Sequence, residues 1–300
     1  MRKDSSAAKP KRRKRQYQKQ QVLTALLFLA PSLAGVCVFV LVPFVETVRR
    51  SFFNVLGNRF QGLSNYISVF QNPGFRMAAA NTARFVAICV PLLILISMLM
   101  AVLVRRLKPE IGKWFKTTYL VTMAIPVASV VLLWKALFAN NGIMNNILVN
   151  VFDASPVSFM STDAAFWVLI FTYLWKNCGY DMILWLAGFD NINAGLYEAA
   201  RVDGANEWQV FIHVTLPGLL PTLFLITVLS LINTFKVFRE AYLVGGAYPE
   251  SNSIYLLQHL FNNWYTQLDV SRLCAAAVLL AVVLLGIILL LKRAWGDEEE

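Results

Sequence analysis

Apolar residues gather in six long runs, at about 22–45, 80–104, 118–138, 164–188, 218–236 and 272–291, separated by polar or mixed segments. A bilayer crossing needs about 20 mainly apolar residues. Each run is therefore predicted to form a membrane-spanning helix. Hydrocarbon offers no partner for exposed backbone groups, and a helix pairs all of its own internally. The pattern predicts an all-α integral membrane protein built as a six-helix transmembrane bundle. Pro91 and Pro126 fall inside the second and third runs and are expected to kink or locally open them. The first run is too long for a cleavable signal peptide and lacks a clear small-residue cleavage site, so it is expected to persist as a span.

Composition strengthens this reading. Of 300 residues, 58% are hydrophobic and only 15% charged, which argues against a soluble domain. The net charge of +10 is unevenly placed. Arg2, Lys3, Lys9, Lys11, Arg12, Arg13, Lys14, Arg15 and Lys19 precede the first run, and five more cations lie in 105–117, whereas 139–163 has none. Lys and Arg concentrate on the cytoplasmic side. Both termini are thus expected in the cytoplasm, with 189–217 also inside. The basic cluster can also touch anionic lipid headgroups. No folded module accompanies it, so nucleic acid is not an expected partner. Cys37, Cys89, Cys178 and Cys274 all lie in apolar segments without a Cys-x-x-Cys pair and read as small apolar residues rather than a disulfide or metal set. With no phosphate-binding Gly-Lys loop and only His213 and His259, neither an ATP site, a metal site nor a cofactor is expected.

The insert between the fourth and fifth runs is the most specific segment. Leu196–Val202 favours a short helix, and Asp203-Gly204 a stop or turn. Trp208, Phe211, Ile212 and Thr215 then share one face of a second, amphipathic helix, and Leu216-Pro217 leads into the fifth run. Glu198 is placed to stabilise the start of the first helix or to pair with a cation on a partner. Glu198-Ala199-Ala200, Gly204 and Leu216-Pro217, with Val214 replacing an Ile, are in register with a known pattern. The insert resembles the EAA loop of permease subunits of binding-protein-dependent ABC importers.

That resemblance extends over roughly residues 22–293. Asn81-Thr82, Pro126 with Leu133-Trp134, Trp175-Lys176 and Phe235-Lys236-Val237-Phe238 are similar to recurring permease features. Gly245-Gly246-Ala247-Tyr248-Pro249 resembles an outer loop of the sugar-transporting branch, although many relatives have a third Gly in place of Ala247. The match is closest to the first permease of maltose-type and glycerol-phosphate-type systems. The resemblance implies a basic cytoplasmic tail (1–21), a six-span permease domain (22–293) with a coupling loop at about 189–217, and an acidic cytoplasmic tail (294–300). It implies a bacterial cell-membrane protein that is not itself an enzyme. Its implied partners are a second permease subunit, two cytoplasmic ATPase subunits and an external solute-binding protein. Glu198, Ala199, Ala200, Asp203, Gly204, Leu216 and Pro217 are the implied ATPase-coupling residues.

Polar groups within spans are costly unless they face the bundle interior or a wet cavity. Trp175, Lys176, Asn177, Tyr180, Asp181 and Asn233 form the candidate substrate path, with Trp185 as a further stacking residue. Aromatic faces and amides suit a carbohydrate, expected to be an oligosaccharide. Structural pairing of Lys176 with Asp181 is the competing reading of those two. The alternatives in function are a glycerol-phosphate or other small-solute ABC importer permease, a membrane-embedded enzyme, and a passive carrier.

Overall fold

The computed structural model describes residues 24–295, and the basic tail and residues 296–300 lie outside them. The described chain is helical, with a single antiparallel bridge between Phe53 and Phe60. Helix α1 covers Thr24–Ser51 and carries a π-helical stretch, Cys37–Leu41, just before Pro43. None of its apolar stretch is buried within the protomer. Helix α2 covers Ser64–Gln71 and α3 covers Pro73–Arg105. Asn72 starts α3 by accepting from the Phe75 amide at 3.0 Å, with Pro73 supplying the preset φ of a first turn. At 33 residues, α3 is about 50 Å long. It runs unbroken through Pro91.

Pro126 acts differently. Ile125 is extended, as a residue before proline prefers, and the third run divides into α4 (Pro109–Ala124) and α5 (Val127–Phe138). The helix begins at Pro109 rather than near 118, so the cationic connection is itself helical. A short α6 follows, Ile143–Phe152. Helix α7, Ala164–Asp190, is the bundle's central element and packs along both α3 and α4. Gly179 allows the α4 approach: a Cβ there would lie 2.6 Å from the Tyr119 carbonyl oxygen. The insert is next. Helix α8 spans Ala194–Val202, and α9 spans Glu207–Val210. A π-helical turn, Phe211–Thr215, continues α9 through Leu216–Gly218 into α10, Leu220–Thr234. Helix α11 is Phe238–Gly245, α12 Leu257–Thr266 and α13 Val270–Trp295. The C-terminal helix thus takes in residues 294 and 295, expected to lie in the acidic tail.

Five stretches of the described residues are long and apolar enough to cross a membrane: 24–51, 73–105, 127–152, 220–245 and 270–295. The predicted fourth span, α7, is a continuous helix of 27 residues. It falls outside that set because Lys176, Asn177 and Asp181 lower its hydropathy. The core explains how these residues are tolerated. Phe85, Phe166 and Tyr173 meet edge to face between α3 and α7, and Trp185 is fully enclosed, donating to the Ser97 hydroxyl at 3.1 Å. Trp185 is therefore a core residue rather than a stacking platform. Cys89, Cys178 and Cys274 are buried free thiols, and Cys37 is exposed.

The Asn81-Thr82 pair has a structural role. Asn81 donates to the carbonyls of Asn252 and Tyr255, and the Thr82 hydroxyl accepts from the Leu257 amide at 3.0 Å. These bonds fasten the loop between α11 and α12 to α3. His259 secures the same loop. Its Nδ1 accepts from the Leu256 amide at 3.2 Å, and its ring is enclosed by Phe238, Tyr242 and Tyr255. Burial lowers its pKa from 6.5 to about 4. The native state therefore holds neutral His259, while the unfolded chain protonates below pH 6.5. Stability is expected to be flat above that pH, to fall between pH 6.5 and 4, and to level off below. Thermal unfolding of the wild type and His259→Gln across this range should show the variant losing part of the slope.

Candidate functional site

The insert is built by local capping. Asn193 opens α8 by accepting from the Gly195 amide at 2.9 Å. The helix starts before Leu196, so Glu198 sits mid-helix, and N-terminal stabilisation belongs to Asn193. The helix ends in a Schellman motif. Ala205 N–H donates to Ala200 O at 3.0 Å, and Gly204 N–H donates to Arg201 O at 3.1 Å. Gly204 adopts φ +78, and nothing lies within 4 Å of where a Cβ would stand. Glycine is required there for conformation, not for space. Asn206 and Gln209 then form a reciprocal capping box at 2.9 Å in both directions.

The second helix departs from the predicted stripe. Trp208 is 69% exposed and Ile212 is exposed, whereas Val210 and Thr215 are buried, five residues apart. That spacing is the period of the π-turn, whose extra residue moves the inward face off the 3.6-residue register. The Thr215 hydroxyl donates to the Tyr197 hydroxyl at 3.3 Å and ties this turn to α8. Trp208 and Phe211 stack on each other at 6.0 Å. The insert is thus two capped helices locked together and continuous with α10. Pro217 lies in the connecting turn.

Between the insert and the end of α3 is a cleft of about 930 Å³. Its polar rim carries Arg105, Arg106, Glu198, Arg201 and Glu207, and its wall includes Leu99, Trp208 and Phe211. Arg105 also lies over the Phe189 ring at 4.5 Å, joining the ends of α3 and α7. Glu198 is exposed and, among the described residues, makes no ion pair or side-chain hydrogen bond. Ala199 and Asp203 are also exposed, as are Leu216 and Pro217, while Ala200 is half-buried. The Tyr197, Arg105 and Arg106 contributions were not part of the predicted coupling set.

The candidate substrate path is only partly gathered. Trp175, Lys176, Asn177, Tyr180 and Asn233 are half-buried, and none of the six residues lines the large cleft. Lys176 does not pair with Asp181. Its Nζ meets Glu240 Oε1 at 2.7 Å. Asp181 is fully enclosed and accepts from the Ser230 hydroxyl at 3.0 Å, which fixes α7 to α10. Asn177 bonds back to the Tyr173 carbonyl at 2.8 Å. Trp175 stands edge to face with Trp134 at 5.7 Å. Asp181 therefore serves packing, and Glu240, absent from the predicted set, is the partner of Lys176.

The described residues thus form a helical bundle with apolar stretches long enough to cross a membrane and a capped insert at one end. Residues 93–295 match the model of one family, the binding-protein-dependent transport system inner membrane component. The chain belongs to that family, and is a multi-pass inner membrane transport subunit rather than an enzyme. It is 28% identical over 281 residues to the lactose transport system permease protein LacF of Rhizobium radiobacter, covering 91% of this chain and 93% of that protein. It is 27% identical to the arabinooligosaccharides transport system permease protein AraP of Bacillus subtilis, covering 90% and 88%. Its fold resembles a chain in the crystal structure of a bacterial ABC transporter that imports the acidic polysaccharide alginate. The TM-score there is 0.79 at 23% identity, covering 96% of this chain and 100% of that one.

Proposed function

We propose that the protein is the permease subunit of an ATP-driven importer for a carbohydrate, an oligosaccharide by preference, delivered by an external solute-binding protein. A second permease completes the path, and two cytoplasmic ATPases drive it through the insert. The observation that carries the coupling role is the rigid, doubly capped insert, which presents Glu198, free of ion pairs among the described residues, beside a cleft and runs directly into α10. Movement of α8 by a partner is transmitted through the Tyr197–Thr215 contact to α10. Glu198, Ala199, Ala200, Asp203, Gly204, Leu216 and Pro217 are the coupling residues in this reading.

Relatives named for lactose and arabinooligosaccharide transport support the carbohydrate. Trp175 and Asn177 on α7, with Tyr180 and Asn233, offer the stacking faces and amides such a ligand needs. The ion pair of Lys176 with Glu240 weighs against glycerol-phosphate, since it removes one cation a phosphate needs. Uptake in cells carrying the whole system tests the assignment. Neutral oligosaccharides should compete with the substrate, and glycerol-phosphate and amino acids should not. Competition by amino acids alone overturns the carbohydrate and leaves the transport role standing.

The charge asymmetry supports both termini in the cytoplasm. Reporter fusions after Asn141 and after Ala294 are expected to report outside and inside, respectively. The same side for both sinks this topology.

A further inference from the structure

We propose that one water molecule is bound between Trp134, Glu240 and Thr172, and that it completes the polar junction holding Lys176. Two buried polar atoms point to it. Trp134 Nε1, a donor, and Glu240 Oε2, an acceptor, each lack a hydrogen-bond partner among the described residues. Trp134 is 7% exposed and Glu240 5%. Leaving either atom unsatisfied in an apolar surrounding is costly, because its hydration is lost with nothing in return. Both residues line the same small space of about 20 Å³, together with Thr172. A water needs roughly 10–15 Å³ of such space and two to four polar partners. The cavity fits one molecule and not two.

The donor and acceptor count closes. Thr172 already donates its hydroxyl hydrogen to the Val168 carbonyl at 2.8 Å, so its oxygen is left only to accept. Glu240 Oε1 already accepts from Lys176. The water accepts from Trp134 Nε1–H and gives one hydrogen to Glu240 Oε2 and the other to Thr172 Oγ1. All three partners are satisfied and no hydrogen is left over. The rest of the lining, including Val131, Leu169 and Ile254, is apolar and offers no competing orientation. The water thus joins α5, α7 and α11 toward the end of the bundle away from the coupling insert. It fixes the carboxylate whose other oxygen holds Lys176, so the site positions a residue of the candidate path.

The test is a map of the full-length chain, in the assembly it forms in a lipid nanodisc, at a resolution that shows ordered water. The expected result is one peak about 2.7–3.2 Å from Trp134 Nε1, Glu240 Oε2 and Thr172 Oγ1. Trp134→Phe should lose this peak while keeping the Lys176–Glu240 contact. Well-resolved side chains with no peak, a direct Trp134–Glu240 bond, or an unchanged peak in Trp134→Phe each overturn the proposal. Thermal unfolding gives a second reading. If the water links the two sites, the losses for Trp134→Phe and Thr172→Val are not additive, and the double variant melts close to the worse single one. Full additivity counts against the bridge.

Discussion

Gly204→Pro and Glu198→Lys are expected to lower solute uptake at least about tenfold, equivalent to roughly 1.4 kcal/mol in the driven step, with the protein still inserted in the membrane. The first acts on the backbone. Gly204 has φ +78, and proline is locked near −65°, so the Schellman closure from Ala205 N–H to Ala200 O is lost. The angle between α8 and α9 is then no longer set. Gly204→Ala isolates the conformational part, because the site has room for a methyl group and costs only the left-handed φ, about 1–2 kcal/mol. It is expected to fall between wild type and Gly204→Pro. Glu198→Lys acts on the partner instead: the carboxylate is exposed with no ion pair among the described residues, so reversing its charge leaves α8 intact. A cysteine at Ala199 should cross-link to the ATPase in the wild-type background. Normal uptake in both variants, with no cross-link, removes the coupling role.

The long apolar runs and the insert were legible because each rests on local pattern. Five of the six runs, all but the third, reappear as single helices, and the Asp203-Gly204 stop was readable because only a left-handed residue closes such a helix. The proline signals were legible in kind but not in outcome. Pro126 breaks its helix, since Ile125 turns extended, while Pro91 is carried through. The π-turn at Phe211–Thr215 was hidden, because it changes the period of the helix without a composition signal. It exposed Trp208 and Ile212, which a 3.6-residue period places inward. Tertiary pairing was hidden for a different reason. Lys176 has Asp181 only five residues on in sequence, yet its partner is Glu240, 64 positions on. Asp181 is instead taken by Ser230, on a helix that only the folded bundle brings alongside.

That misread pair yields the largest stability effect. Lys176 and Glu240 form a 2.7 Å ion pair with side chains only 19% and 7% exposed. Removing one member of a buried pair strands the other charge, at about 3–5 kcal/mol, although the intact pair itself adds little net stability. Glu240→Leu is therefore expected to lower the unfolding midpoint sharply and to reduce the amount of protein recovered from the membrane. Lys176→Met strands the more deeply buried Glu240 carboxylate and should cost a comparable amount. The double variant, Lys176→Met with Glu240→Leu, should recover most of the loss, since both desolvated charges are gone and two apolar side chains of similar size fill the space. Thermal unfolding of the four proteins in one detergent measures the cycle. A double variant as unstable as Glu240→Leu alone shows that the carboxylate acts through contacts other than Lys176. Stability and transport then separate: a double variant that folds well but carries substrate poorly assigns Lys176 to the path, whereas normal uptake makes the pair a packing device of α7 and α11.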